Sequence, residues 1–180
     1  MGPRRSPPDG RCRRFDRRDL QTAPDKPGLK IISGGQTGVD RAALDVALKH
    51  GIPCGGWCPA GRLDENGIIP ARYPVEELPA GGFAERTRQN VQDSDATVIF
   101  FADRPRGGTA ETVRHCGELK RPCLLIDAAR IGPTEAVEKV RVFIGAETPG
   151  VLNIAGPRAS EWPGGYEYAS AVLERALTIN

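Results

Sequence analysis

From residue 29 onward the chain repeats one pattern five times: a short apolar run, then a stretch whose apolar residues recur at helical spacing. Residues 29–33, 52–57, 96–102, 122–127 and 151–155 are the apolar runs, with 96–102 the clearest and 52–57 weakened by Gly55 and Gly56. After the first run, Val39, Ala42, Ala43, Val46 and Ala47 fall on one helical face, widened by Leu44 and Leu48 and stopped at Gly51. Further helices are predicted over 83–94, 108–120, 134–145 and 165–178. Five strands, each followed by a helix, predict an α/β domain with a parallel sheet covered on both faces. Right-handed crossovers make it a doubly wound, Rossmann-like layer. Ligands of such sheets sit beyond the carboxyl ends of the strands. The loops at 33–38, 58–82, 103–109, 128–133 and 156–164 are therefore the places to look for chemistry.

Residues 1–28 do not share the pattern. They hold eight of the 25 basic residues and four of the 23 acidic ones, with almost no aliphatic side chains. Too little apolar surface is available there to offset ordering entropy, so a disordered tail is predicted, with the domain at 29–180. The remaining 17 basic and 19 acidic residues leave the domain slightly acidic, which argues against nucleic-acid binding. No run approaches about 18 apolar residues, so no membrane span is predicted. The start lacks the apolar run of a secretory signal and carries too much acid for a transit peptide, so a cytoplasmic location is expected.

The turn after the first strand is Ser33-Gly34-Gly35-Gln36-Thr37-Gly38, and a helix begins at once. Three glycines let the backbone approach a ligand, and the unpaired N–H groups of the helix start favour an anion. The backbone from Gly35 to Gly38 is therefore expected to hold a phosphate, with Gln36 and Thr37 adding side-chain donors; otherwise it is a plain tight turn. Asp40 and Arg41 follow in the first helical turn. Asp40 is read as stabilising its own helix and orienting Arg41, with a role as a base kept as the alternative. The loop after 96–102 repeats the device with Arg104, Arg106, Gly107, Gly108 and Thr109. Arg158 adds a cation after the last strand or is a surface arginine. Asn90 falls near the buried face of its helix and contacts either ligand or a strand-end carbonyl. In the long loop, Trp57 is placed to stack on a heterocycle and Arg62 or Arg72 to pair with phosphate, unless they simply pack a lid.

The five cysteines, with only His50 and His115 as imidazoles, show no metal-ligand spacing, so neither a metal site nor a disulfide framework is expected. No nucleophile–base arrangement is visible, and His115 reads as a surface residue of a helix. No catalytic residue is assigned.

The stretches 33–45, 55–59, 69–74, 106–110 and 155–158 together resemble the molybdenum-cofactor carrier family, and the resemblance spans about residues 29–178. That family is similar to the LOG-type nucleotide hydrolases and shares a Rossmann-like fold. The resemblance implies binding of the molybdenum cofactor, molybdopterin, for storage or delivery to a molybdoenzyme, with its terminal phosphate in the glycine loops, and a homo-oligomer. The hydrolases carry Gly-Gly-x-Gly-Thr-x-x-Glu. Here Thr112 stands at the catalytic glutamate's offset and Glu111 comes one residue early, turned about 100° around the helix. The expected ligand is thus a phosphate-bearing small molecule bound without turnover, with a nucleotide-processing enzyme as the alternative.

Overall fold

The computed structural model describes residues 28–178; the first 27 residues of the predicted tail lie outside them. The elements in chain order are β1 (Lys30–Ile32), α1 (Val39–Lys49), β2 (Cys54–Gly55), β3 (Trp57–Cys58), β4 (Leu63–Asp64), β5 (Gly67–Ile68), β6 (Glu76–Glu77), α2 (Phe83–Gln92), β7 (Ala96–Phe101), α3 (Gly107–Glu118), β8 (Cys123–Asp127), α4 (Pro133–Glu147), β9 (Val151–Ala155) and α5 (Gly165–Leu177).

Five of these strands form one parallel sheet in the order β2-β1-β9-β7-β8. The period-two alternation of β7 explains how the sheet is covered. Ala96, Val98 and Phe100 point into a core shared with α1, α4 and α5. Ile99 and Phe101 point to the other side, against Val91 of α2 and Cys116 of α3. Each fully buried aliphatic or aromatic side chain of this kind contributes about 1.5–3 kcal/mol. The doubly wound Rossmann-like layer expected from the sequence is the fold observed.

The position of β9 is the unusual feature: the last strand of the chain lies in the middle of the sheet. Counting β9 and α5 as the first unit turns the order into 3-2-1-4-5, that of a nucleotide-binding doubly wound sheet. The chain is thus a circular permutation of that layout. The crevice where strand order reverses lies between the carboxyl ends of β9 and β7.

Two local expectations are corrected. The second strand does not run through 52–57: it ends at Gly55, and Gly56 turns the chain at a φ of 121°. Trp57 and Cys58 then pair with β6 in a separate small sheet, held by Asn90. The stretch 58–82 is not simply a polar loop. It contains the β4–β5 hairpin, and its Ile69, Tyr73 and Val75 bury with Cys58 and Leu44 in a second core. Sparse apolar residues among prolines carry no periodicity, which is why their burial was not predicted.

Candidate functional site

The β1–α1 turn uses some of its donors within the protein. The Gln36 amide donates to Asp40 Oδ2 (3.3 Å), the Thr37 amide to Gln36 Oε1 (3.0 Å) and the Val39 amide to the Pro157 carbonyl (3.4 Å). The Thr37 hydroxyl donates to Glu65 of the hairpin and accepts from the Ala159 amide at 3.1 Å. Glu65 also takes the Ser160 hydroxyl; burial raises its pKa, but hydrogen bonds from Ser160 and Thr37 outweigh that and hold it below the usual range. Gly35, at a φ of 73°, would point a Cβ at Ile69 (3.2 Å) and Val75 (3.5 Å), so packing accounts for this glycine.

A cavity of about 140 Å³ opens at the crevice. Gln36 and Asp40 line it from the first turn, Phe83, Arg86 and Thr87 from α2, Gly108, Thr109, Glu111 and Thr112 from α3, and Ala155, Gly156, Arg158 and Glu161 from the segment ending β9. Here α3 presents its start. The Arg106 carbonyl accepts from the Thr109 and Ala110 amides, and a Cβ built on Gly108 would meet nothing within 4 Å. The Thr112 hydroxyl donates back to the Gly108 carbonyl at 3.0 Å. The Thr109 hydroxyl is buried with no hydrogen-bond partner. Buried hydroxyls ordinarily have one, so this group is available to a ligand.

Arg86 is the cation of the site that the sequence reading missed. Its guanidinium lies over Gly34, where a Cβ would come within 1.7 Å of Nη1, and it pairs with Asp40 at 3.1 Å. Its Nε is buried without a partner. Burial pushes the Asp40 carboxyl above the usual carboxylate range, and Arg86 opposes that rise without cancelling it. Asp40 therefore serves Arg86. Arg41, which it was expected to orient, instead bonds Asp64 (2.7 Å) and the Gly35 carbonyl (2.9 Å). A signal was present: Arg86 lies four residues before Asn90, hence on the same buried helical face.

The other residues singled out in the sequence divide between the scaffold and the cavity. Asn90 clamps the backbone of Trp57 through both ends of its amide, the strand-end contact, while the Trp57 indole bonds Asp93 at 2.7 Å. Arg62 bonds the carbonyls of Pro70, Tyr73 and Val75, fastening the long loop. Arg106 is exposed beside Asp103, and Gly107 starts α3 at a φ of 46°. Arg158 lines the cavity and pairs with Glu161 at 2.9 Å. Glu111 lines the cavity as well, with no hydrogen bond or ion pair among the described residues. Its offset from Thr112 does not remove it, because both lie in the first turns of a helix whose start faces the cleft. His115 is buried against Glu118 rather than on the surface. Burial raises the thiols of Cys54 and Cys58. Among the described residues no group of three His, Cys, Asp or Glu is placed to hold a metal ion.

The arrangement thus offers two guanidinium groups, a free hydroxyl and an open helix start for an anion, with an unpaired carboxylate in the same cavity. Comparison with known proteins agrees with the topology. The profile of the circularly permutated YpsA SLOG family matches residues 31–177. A crystal structure of a protein from Syntrophus aciditrophicus SB, named "putative molybdenum carrier protein", is 46% identical, with a TM-score of 0.81 over 83% of this chain and 94% of that one. No curated protein matches the chain. A last strand placed mid-sheet, a glycine-rich crevice and a family match over nearly the whole domain have one reading: the chain belongs to the circularly permutated YpsA SLOG family.

Proposed function

We propose that the cleft between β9 and β7 binds the phosphate of a small cofactor, and that the protein carries molybdopterin for storage or for delivery to a molybdoenzyme. The observation that carries the phosphate reading is the buried, unpartnered Thr109 hydroxyl at the start of α3, across a cavity also lined by Arg86 and Arg158. The name of the Syntrophus aciditrophicus relative supports the choice of cargo. At about 140 Å³ the cavity is smaller than the roughly 300–1,000 Å³ that encloses a whole drug-sized ligand, so it suits a terminal phosphate with the rest of the ligand outside. A cytoplasmic, homo-oligomeric carrier belongs to the same reading.

Thr109→Val tests the phosphate site with two signs at once. Valine keeps the shape and removes a buried hydroxyl that lacks a partner, so the melting temperature should hold or rise. Affinity for inorganic phosphate, measured by calorimetry on the full chain, should fall about tenfold with the loss of a hydrogen bond to a charged group. Unchanged affinity would place the anion elsewhere.

Glu111 favours a second reading, a nucleotide-cleaving enzyme, because a free carboxylate in the phosphate cleft is what the glycosidic hydrolysis of a nucleotide requires. With a panel of nucleoside monophosphates, the carrier reading expects no release of base. Sustained release that is lost in Glu111→Gln, with binding intact, would replace the carrier by a hydrolase.

A further inference from the structure

The β4–β5 hairpin is fixed at its base and unpacked at its tip. At the base, the Ile69 amide donates to the Arg62 carbonyl at 2.7 Å, Ile69 is buried, and Arg62 is fastened to the carbonyls of Pro70, Tyr73 and Val75. Beyond it, Leu63 and Ile68 face one another across the ladder, yet they are 46% and 74% exposed. Apolar burial therefore does little to hold this part of the chain down. Polar ties hold it instead. Arg41 bonds Asp64 at 2.7 Å. The Glu65 amide donates to Gln36 Oε1 at 2.9 Å. The Glu65 carboxylate takes the hydroxyls of Thr37 and Ser160, and the Ser160 amide at 3.3 Å. A single side chain thus ties the turn after β1 to the segment after β9.

Two residues join this tie to the cavity. Gln36 lines the cavity and accepts the Glu65 amide. Arg158 lines it too, and its charge favours the Glu65 carboxylate. An anion in the cavity and the carboxylate of Glu65 therefore draw on the same guanidinium. Like charges that share one cation weaken each other's hold.

We propose that Glu65 is a resident anion that straps the hairpin tip across the mouth of the cleft, and that an anion entering the cavity releases it. The incoming charge takes the field of Arg158, the Glu65 carboxylate leaves Thr37 and Ser160 for solvent, and the tip is freed. Such coupling is reciprocal, so Glu65 opposes the anion as much as the anion opposes Glu65. The inference rests on the phosphate reading above and adds its regulation.

The test joins calorimetry with hydrogen exchange over residues 63–68, followed by mass spectrometry on the full chain. Glu65→Gln keeps the size and the amide tie but removes the charge, and a thermal melt should show it folded. Its affinity for inorganic phosphate should rise at least about fivefold, the low end of ordinary coupling between sites. Glu138→Gln on α4 changes the net charge equally and should leave affinity unchanged. Ser160→Ala keeps the charge and loosens the strap, so exchange over 63–68 should quicken before any ligand is added. In the unmodified protein, phosphate itself should quicken that exchange. If phosphate binds but Glu65→Gln gains nothing over Glu138→Gln, or if phosphate slows exchange over 63–68, the inference is overturned while the phosphate reading stands. A gain in affinity with no response in exchange would make Glu65 a fixed charge and overturn the strap as well. If phosphate binds neither the unmodified protein nor Glu65→Gln, both readings fall.

Discussion

Replacing Arg86 by methionine is expected to cost about 3–5 kcal/mol of stability at neutral pH, the usual penalty for leaving one member of a buried ion pair alone. Asp40 is 2% exposed and has no other cationic partner among the described residues, so nothing nearby replaces the guanidinium. For a domain of this size the melting temperature should fall by roughly 10 °C. The pH dependence gives the argument its sign. Burial already raises the Asp40 carboxyl above its unfolded value, so the folded state holds the proton more tightly than the unfolded chain does. Stability from this group is complete below the unfolded pKa and is lost as pH rises through the folded one. Removing Arg86 takes away the main opposing influence, so the folded pKa climbs further and the losing window extends upward. The variant should therefore lose less at about pH 5 than at about pH 8, measured by urea unfolding against wild type. Adding Asp40→Asn should recover most of the loss at about pH 8 by removing the stranded charge. A loss that is the same at both pH values, or that Asp40→Asn does not relieve, would refute a charge-based role for the pair.

Gly38→Val is the second large effect, and it acts through the backbone. Gly38 sits at a φ of 75° and ψ of −128°, in the mirror-image β region that glycine enters freely and branched residues do not. A Cβ there would lie 2.6 Å from the Pro157 carbonyl and 2.9 Å from the Ala159 amide, atoms that cannot swing away as a side-chain end can. Strain and overpacking together should cost about 3 kcal/mol or more. The displaced segment carries Arg158 and Glu161, so phosphate affinity should fall too. Gly51→Val supplies the control: its φ is 66°, but nothing lies within 4 Å of its Cβ position. It should lose only the conformational part, about 1–2 kcal/mol. Equal losses at the two positions would show that contact with the 157–159 segment contributes nothing.

Part of the site was legible because it follows from chain direction. The glycine-rich helix starts after β1 and β7 could be placed on one rim, since strands of a parallel sheet end on the same side. Gln36, Asp40, Gly108, Thr109, Thr112 and Arg158 do line the cavity. What chain direction cannot say is which donors remain unspent. The first glycine turn has the denser motif, yet the amides of Gln36, Thr37 and Val39 are taken by Asp40, Gln36 and Pro157. The second has the plainer motif and keeps a free hydroxyl at Thr109.

Local pattern determined the parallel layer, its five strands and the boundaries of most helices, because burial on a sheet or a helix face imposes a period that neighbouring residues must obey. Pairing across the sheet is not periodic. Nothing in the sequence of β9 says that it inserts between β1 and β7, and that insertion sets where the crevice falls. Likewise, the partnership of Arg86 with Asp40 spans 46 positions, and the clamp of Asn90 on Trp57 spans 33. Such contacts are decided by which helix covers which strand, so only the folded chain separates the arginines that line the cavity from the arginines that fasten the scaffold.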